Sequence, residues 1–386
     1  MLLNYKLILI VNPFRYGRIV YGDFFYDRKE ELSHITATLN GGNNVVLFAP
    51  RRYGKTSLVF KVMDSLSTEG TVCIYFDCST AFSLESFAEL FVRAVAAKQS
   101  NWQRFLTILS SLVKTLRPTI SIDESGLPQL GIEFTEPKMS VGTLADIFNL
   151  PEKLSEETGV RVVVVFDEFQ DVQKFNKYGL ENILRNKIQQ QKHVNYLFLG
   201  SKTHILSDMF NNKNRAFYNS SYHYQLGKLP EQETIAFLKD RFSQSGILIG
   251  DAEAKQIIDE TDNVPYYIQL LASEIWQCTI TEKAVVTPEI IRQSAQQIIL
   301  VKDDYYGELF GRLSETQCKL LIALTREQTG IFSASYIRKY HLHASSSVQK
   351  ASSALVEDGI IDKESDKYHI CDPFFKRYIM QTFNQK

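Results

Sequence analysis

The chain has 386 residues, of which 44% are hydrophobic and 23% charged, with a formal net charge of −1. This composition is typical of a soluble globular protein with two or three domains, and the balanced charge excludes a general attraction to nucleic acid or anionic lipid. The five cysteines are scattered without a C-x-x-C pair. This argues against a zinc site and a disulfide framework, and predicts a cytoplasmic location.

The N-terminal stretch "MLLNYKLILIVNPF" carries one lysine and a short apolar run. It is too short to span a bilayer, and no small-residue cleavage site follows it. We expect an edge strand or a few unstructured residues here, and no association with a membrane. We treat residues 1–21 as a lead segment.

Short apolar runs alternate with longer amphipathic segments between about residues 22 and 227. The strand candidates are "NNVVLFAP", "GTVCIYFDC", "VRVVVVFDEF" and "VNYLFLGSK". The last three are apolar throughout, as strands buried on both faces of a sheet are. This order predicts a three-layer α/β domain built on a parallel sheet.

The stretch "PTISIDESGLPQLGIEFTEP" interrupts this pattern and predicts an inserted hairpin without a readable role.

After Leu229-Pro230 the chain is helical to about Val301, and a final segment ends in the predicted hairpin "GIIDKESDKYHICD". We therefore divide the chain into the lead segment 1–21, a nucleotide-binding core 22–228, a helical lid 229–304 and a winged helix 305–386.

A phosphate-binding loop is predicted by "APRRYGKTSL", although Ala49 stands where the usual G-x-x-x-x-G-K-[ST] pattern has its first glycine. A small side chain fits that position if its backbone keeps ordinary dihedrals, whereas Gly54 lies at the crowded turn into the helix. A strand before the loop and a helix after it would aim backbone N–H groups at phosphates. We expect ATP to contact Ala49, Pro50, Arg51, Arg52, Tyr53, Gly54, Lys55, Thr56 and Ser57.

Two carboxylates end the apolar strand "VVVVFDEFQD". With a phosphate loop present, Asp167 is placed to hold Mg²⁺ together with the hydroxyl of Thr56, and Lys55 to reach the β- and γ-phosphates. Glu168 would polarise the attacking water. Because Lys55 lies on a loop, we expect it to be exposed, so that Lys55→Ala would abolish ATP binding without unfolding the protein.

Over nearly its whole length, from "NPFRYG" to "YHICDPFFKRYI", the chain resembles the archaeal-type ATPases in the STAND branch of AAA+ proteins. In that family, a motif of two apolar residues, Gly-Arg, two variable residues and Glu lies beside the adenine. "FYDRKEEL" matches this motif with Arg28 and Glu31, but Asp27 replaces the glycine. The family's "GxP" motif corresponds to "NVP", so the resemblance places Pro265, which is also a routine helix start, near the base.

The resemblance also implies a phosphate sensor and an arginine. "YLFLGSK" resembles the sensor strand, so Ser201 or Lys202 would read the γ-phosphate, with a solvated lysine as the ordinary alternative. Where relatives carry a "YGR"-like arginine, this chain has Asn219 and Ser220. Arg215 could substitute for it, or be an ordinary surface arginine, and hydrolysis would be slow without such a group.

The C-terminal segment "SASYIRKYHLHASSSVQKASSALVEDG" predicts two helices of a winged helix, the second with Val348, Ala351 and Leu355 on its core face, a cap near Ser345 and an end at Gly359. Few basic residues point outward, and the wing mixes lysines with acids. This favours a protein interface or nucleotide lid over DNA contact.

The first hypothesis is therefore a cytoplasmic Mg-ATP-binding ATPase that acts as a slow, nucleotide-controlled switch on an unknown protein partner. The alternatives are an ATP-dependent DNA-binding protein resembling archaeal origin-recognition proteins, and a nucleotide-binding scaffold with negligible hydrolysis. Gel shifts at varied salt concentration and measurements of phosphate release separate the three.

Overall fold

The computed structural model describes residues 11–19, 28–99, 102–122, 128–134, 139–281, 285–364 and 366–383. The chain divides into two compact units. One, here called the core unit, takes in residues 28–50 and 55–227. The other, the C-terminal unit, takes in residues 51–54, the residues from 228 onward and those before 28. The predicted four-part division of the chain stays a prediction.

The core unit alternates strands and helices along the chain. Its strands are β1 (Val45–Phe48), β2 (Val72–Asp77), β3 (Leu116–Ile122), β4 (Pro128–Phe134), β5 (Val162–Asp167), β6 (Val194–Gly200) and β7 (Tyr222–Gln225). Its α-helices are α1 (Lys29–Asn40), α2 (Lys55–Thr68), α3 (Leu84–Ala96), α4 (Trp102–Leu112), α5 (Val141–Phe148), α6 (Leu150–Thr158), α7 (Leu180–Gln190) and α8 (Thr203–Asn211). Two 3₁₀ segments, Cys78–Thr80 and Phe169–Tyr178, follow β2 and β5.

Five of these strands form a parallel sheet in the order β2-β5-β6-β1-β7. Every residue of β5 and β6 is buried, because helices flank the sheet. The four predicted strands and the parallel sheet are confirmed. The sequence missed β7, a short edge strand whose partly exposed "YHYQ" carries no apolar signal.

The inserted hairpin is also confirmed: β3 and β4 pair antiparallel in their own two-stranded sheet. Its turn, residues 123–127, lies outside the described residues. Aromatic side chains form much of the apolar core against the parallel sheet. The ring of Phe166 stacks nearly parallel to the rings of Phe91 and Phe198. This dense packing makes the carboxyl ends of the strands a rigid edge.

The regular elements among the described residues of the C-terminal unit are helices and one β-hairpin. Its elements are α9 (Glu231–Ser243), α10 (Asp251–Glu260), α11 (Pro265–Thr279), α12 (Pro288–Val301), α13 (Asp303–Gly311), α14 (Glu315–Leu324), α15 (Ala334–Lys339), α16 (Ser345–Glu357), β8 (Ile361–Glu364), β9 (Lys367–Ile370) and α17 (Pro373–Phe383). The helical lid and the winged helix are confirmed as elements of the fold.

Within the winged helix, Val348, Ala351 and Leu355 are buried as the spacing predicts. The predicted cap by Ser345 or a neighbour is wrong, because Ser345 is the first residue of α16 and the N-cap residue Ala344 has no side chain that can cap. Gly359 follows the end of α16 with φ +71°, a conformation that favours glycine, so the predicted end of the helix is confirmed.

The N-terminal residues 1–10, for which we expect an edge strand, lie outside the described residues. Farther along, the ring of Phe14 packs against Phe237 and Phe242 of α9, and the Asn12 amide donates to the Ser273 hydroxyl at 2.9 Å. The lead segment is thus fastened to the lid helices. None of the described helices has the length and apolar character needed to cross a membrane.

Candidate nucleotide site

The loop between β1 and α2 has the backbone that the sequence argument requires. Ala49 is fully buried and is not among the residues with positive φ, so it needs no glycine. Positive φ occurs instead at Arg52, with φ +73°, and at Gly54, with φ +79°. Glycine is therefore needed at the turn into the helix, and alanine is tolerated at the start of the loop.

Helix α2 begins at Lys55, directly after this turn. The first N–H groups of a helix have no intrahelical acceptor, and the helix dipole makes this end attractive to anions. Thr56 and Ser57, both partly buried, lie in the same first turn. Strand, loop and helix start thus have the local arrangement of a phosphate-binding loop.

Lys55 is buried, with 7% of its surface exposed. Its Nζ lies 3.4 Å from Asp167 Oδ1 and 3.4 Å from Glu168 Oε1, at the carboxyl end of β5. The expectation of an exposed lysine is wrong, because parallel strands bring the end of β5 to the loop that follows β1. The structure thus joins the lysine and the two carboxylates into a single charged cluster.

Asp167 is held by groups on both of its oxygens. The hydroxyl of Tyr75, on β2, donates to Oδ2 at 2.7 Å, and the backbone N–H of Glu168 donates to Oδ1 at 2.9 Å. Burial, and then this bond to the carboxylate, raise the pKa of Tyr75 well above its ordinary range. The tyrosine therefore remains a hydrogen-bond donor and fixes the orientation of Asp167.

Tyr75 is not predicted as a site residue from the sequence. The available signal is weak: a tyrosine with a polar tip near the end of the otherwise apolar run "VCIYF", next to the strand that carries the acids. Tyrosine is common in strands, and only the order β2-β5 gives this one its partner.

Glu168 adopts a left-handed backbone conformation, with φ +47°, which is uncommon for a residue with a Cβ and occurs where the surroundings impose it. Its Oε2 accepts hydrogen bonds from the Ser201 hydroxyl at 2.8 Å, from the Ser201 N–H at 3.2 Å and from the Gln170 amide. Burial alone would raise the pKa of Glu168, but the Lys55 charge and the bonds from Gln170 and Ser201 outweigh it and lower the pKa.

The tip of β6 contributes to this cluster through Ser201 and through the residue before it. A Cβ on Gly200 would lie 2.2 Å from Gln170 Oε1, so the glycine leaves room for the amide that holds Glu168. Lys202 is the N-cap residue of α8, and its carbonyl accepts from the N–H groups of Ile205 and Leu206. Its predicted contact with a γ-phosphate stays a prediction.

Arg215 lies in a different network of the core unit. Its guanidinium donates to both carboxylate oxygens of Glu181, at 3.2 and 2.8 Å, and to Asp208 at 2.6 Å. Glu181 is buried, so this bidentate pair anchors the arginine. Ser220, where the family arginine is expected, donates its hydroxyl to the carbonyl of Phe217. The catalytic role suggested for Arg215 stays a prediction, and its charge is already neutralised.

Arg28 is 4% exposed and, like Glu168, has positive φ. It donates to Glu31 at 2.7 Å and to the carbonyl of Gly227 at 2.7 Å, which ties the start of α1 to the end of the core unit. The predicted adenine contact stays a prediction, and Asp27, where the family motif has glycine, lies outside the described residues.

The remaining predicted contacts belong to the C-terminal unit. Pro265 is the first residue of α11, as predicted. The guanidinium of Arg52 lies over the next two residues of that helix, 4.9 Å from the ring centroid of Tyr266 and 4.8 Å from that of Tyr267. Tyr53 is mostly buried, and burial, with nearby Glu364 and other acids, raises its pKa to about 12.

The donor set suits a magnesium ion bound with a nucleotide. Thr56 offers a hydroxyl and Asp167 a carboxylate, which are the oxygen ligands that Mg²⁺ takes in proteins. In the described part of the chain, no group of three or more His, Cys, Asp or Glu side chains could hold a metal by itself. Phosphate oxygens and water would have to complete the coordination.

Comparison with known families agrees with this geometry. The model of an ATPase domain predominantly from Archaea matches residues 25–271, and the model of a probable winged helix domain matches residues 304–381. None of the curated proteins is similar enough to the chain to count as a relative.

Solved structures share the fold across almost the whole chain. A Walker-type ATPase of Pyrococcus abyssi aligns with a TM-score of 0.63 and 18% identity over 92% of this chain and 96% of that one. The ORC2 protein of Aeropyrum pernix, in its ADPNP–ADP complexes, aligns with a TM-score of 0.55 and 13% identity over 97% and 100%. At these identities the likeness establishes the fold alone.

Proposed function

Because the chain belongs to the family of ATPase domains found predominantly in Archaea, we propose that it binds Mg-ATP at residues 49–57 and hydrolyses it slowly. The observation that carries this proposal is the cluster of Lys55, Asp167 and Glu168, with both carboxylates 3.4 Å from the lysine. A helix start, a buried cation and two acids form a site for phosphate and a divalent ion.

Each residue of the cluster has a role in this proposal. The N–H groups at the start of α2 and the ammonium of Lys55 bind the phosphates, while Thr56 and Asp167 hold Mg²⁺. A bound Mg²⁺ would supply positive charge beside the phosphates. Glu168 would orient a water and accept its proton, since its carboxylate is ionised at neutral pH. Tyr75 positions Asp167 through their hydrogen bond.

Charge balance supports this assignment. Two carboxylates face one ammonium, so the cluster carries one excess negative charge. When Lys55 turns to a phosphate, both acids lose their cation within a largely buried site. A divalent cation arriving with the nucleotide would replace it, so ATP should bind this site with Mg²⁺ more tightly than without it.

The test compares ATP binding with Mg²⁺ and with a chelator by calorimetry, in the wild type and in Asp167→Asn. We expect Mg²⁺ to tighten ATP binding in the wild type and to have much less effect in the variant, which lacks the carboxylate charge. Asp171→Asn is the matched control, because Asp171 pairs with Lys174 on the surface. Equal affinity with and without Mg²⁺ in the wild type would contradict the metal assignment.

We propose slow hydrolysis because Arg215 is already paired with Glu181 and Asp208. An arginine that stabilises the transition state contributes factors of about 10³–10⁵ in related enzymes, and no free arginine replaces it at Asn219 and Ser220. Arg215→Ala should lower stability, since it leaves buried Glu181 unpaired. Turnover per folded molecule should stay unchanged, and a thousandfold loss of phosphate release would show instead that Arg215 is catalytic.

The proposal includes a switch of the STAND type, acting in the cytoplasm, in which bound nucleotide controls what the winged helix presents to a protein partner. All five cysteines are free, which suits a reducing compartment. Mg-ATP, and to a smaller extent ADP, should then slow hydrogen exchange in residues 229–301. Protection confined to residues 45–60 with either nucleotide would favour a scaffold that binds nucleotide without switching.

We do not extend the proposal to DNA. The exposed residues of α16 are three serines, Gln349, Glu357 and one lysine, Lys350. In the hairpin β8-β9, Lys363 and Lys367 alternate with Glu364 and other acids, which is unfavourable for phosphate contact. Salt-dependent binding to duplex DNA in a gel shift would reverse this judgement.

A further inference from the structure

We propose that Arg52 is a latch in the nucleotide loop, held by Asp372 of the winged helix and released when nucleotide phosphates take its place. This inference rests on the proposed nucleotide binding and names how that site is regulated. It goes beyond the assignment of Arg52 as one of several loop residues that contact ATP.

Arg52 is held by contacts from two elements of the C-terminal unit. Its Nη1 donates to Asp372 Oδ2 at 3.3 Å, and its guanidinium lies over the rings of Tyr266 and Tyr267. Its carbonyl accepts from the N–H of Tyr266 at 3.4 Å. These contacts accompany a backbone φ of +73°, which is unfavourable for a residue with a Cβ and therefore depends on its surroundings.

Asp372 is fixed from the winged-helix side. Its Oδ1 accepts from the N–H groups of Phe374 at 2.9 Å and Phe375 at 3.2 Å, which caps the start of α17. Its Oδ2 accepts from the hydroxyl of Tyr306 at 3.2 Å, in addition to Arg52. Any shift of this carboxylate is therefore coupled to α17 and α13.

The cluster has more positive than negative charge. Lys302 Nζ lies 4.0 Å from the same oxygen of Asp372, so two cations share one carboxylate. Burial, with the nearby Arg52 charge, lowers the pKa of Lys302 despite the opposing effect of Asp372. An additional anion beside Arg52 and Lys302 would therefore be favoured, and a nucleotide phosphate has the required charge.

The bond to Asp372 is suited to exchange. The Arg52 side chain is 40% exposed, and it makes one long contact with an oxygen that a tyrosine also uses. A guanidinium can bind a phosphate through two parallel hydrogen bonds, and phosphates of ATP carry more charge than a single carboxylate. Nucleotide against the loop should therefore draw Arg52 away and leave Asp372 to Tyr306 and Lys302.

The variant Asp372→Asn tests this competition selectively. Asparagine caps a helix about as well as aspartate and can still accept the Tyr306 hydroxyl, so the main change is the lost charge. With the competitor weakened, ATP should bind about two- to fivefold more tightly, the effect expected of a partly exposed ion pair. Asp358→Asn removes the same charge from an exposed position of the winged helix and should leave ATP affinity unchanged.

The second arm is Arg52→Gln, alone and combined with Asp372→Asn, with ATP affinity measured by calorimetry and stability by urea unfolding without nucleotide. In the Arg52→Gln background, Asp372→Asn should tighten ATP binding much less than it does in the wild type. The inference is overturned if Asp372→Asn weakens ATP binding or leaves it unchanged, or if it tightens binding equally without Arg52.

Failure of the proposed function is distinguishable from failure of the latch. A wild type that binds no Mg-ATP overturns the function and the regulation together, while the unfolding measurements still report whether Arg52 and Asp372 interact. A wild type that binds ATP, with a measurable coupling between the two residues in unfolding and none in ATP affinity, overturns the regulation alone.

Discussion

Lys55 and Arg52 are three residues apart in the sequence, yet their side chains are held in opposite ways. The side chain of Lys55 is 8% exposed and lies between two carboxylates of the core unit, whereas that of Arg52 is 40% exposed and rests on two tyrosines and one shared carboxylate oxygen of the C-terminal unit. Removing the partner of a buried charge lowers the stability of the fold strongly, whereas removing the partner of an exposed charge lowers it little. Removing Lys55 should therefore cost more stability than removing Arg52.

The largest effect on ATP affinity is expected from Lys55→Ala, which should lower it about 100-fold, since hydrogen bonds to charged groups contribute up to about 3 kcal/mol. It should also lower the free energy of unfolding by about 3 kcal/mol, because Asp167 and Glu168 are left without their cation. Calorimetry and urea unfolding check these two results. An unchanged ATP affinity would contradict the phosphate-loop assignment.

The stability loss in Lys55→Ala should depend on pH. Because Lys55 contributes to lowering the pKa of Glu168, the stability from this pair is present above the ordinary glutamate value of about 4.3 and is lost as pH falls through the lower folded pKa. The difference between wild type and variant should therefore shrink below about pH 4. Lys61→Ala, on the same helix, is the control and should show no such convergence.

Glu168→Gln should reduce phosphate release about 10²–10⁴-fold while ATP still binds, because the amide cannot accept the proton of the attacking water. The amide can keep some of the hydrogen bonds around position 168, so the fold should persist. Steady-state phosphate release measures the loss of turnover, and calorimetry measures whether ATP still binds. A variant with normal turnover would mean that another group activates the water.

Tyr75→Phe should have an intermediate effect. It removes the 2.7 Å hydrogen bond to Asp167 and leaves the ring in place, so the carboxylate loses its orientation rather than its charge. We expect the Mg²⁺ concentration needed for half-maximal ATP binding to rise about tenfold, as for other groups that orient metal ligands. Tyr178→Phe, at an exposed tyrosine, is the matched control. An unchanged Mg²⁺ requirement would make Tyr75 purely structural.

The smallest effect is expected from Tyr266→Leu. Loss of one ring beneath Arg52 should lower the free energy of unfolding by about 0.5–1 kcal/mol, the range for exposed cation–π contacts. In an Arg52→Gln background the same change should cost less, which a double-mutant cycle measures. Tyr305→Leu replaces an exposed tyrosine of α13 and should show the same cost in both backgrounds.

Much of the fold was predictable because its signals are local. Continuous apolar runs identified β2, β5 and β6, and helical spacing identified Val348, Ala351 and Leu355 as core residues. The strand β7 was missed because an exposed edge strand needs no apolar pattern. The cap of α16 was predicted wrongly because serine is a common N-cap residue, whereas this helix begins at the first serine and leaves Ala344 at the N-cap position.

By itself, the sequence predicted a loop of the phosphate-binding type between β1 and α2 and two acids at the end of β5, because a loop between strand and helix and a strand that ends in carboxylates are properties of consecutive residues. Only the tertiary structure decided that Lys55 is buried between those acids, that Tyr75 holds Asp167, and that Arg52 rests on Tyr266 and Asp372. Those partners are separated by tens to hundreds of residues. Strand order and helix packing bring them together, and the local sequence pattern predicts neither.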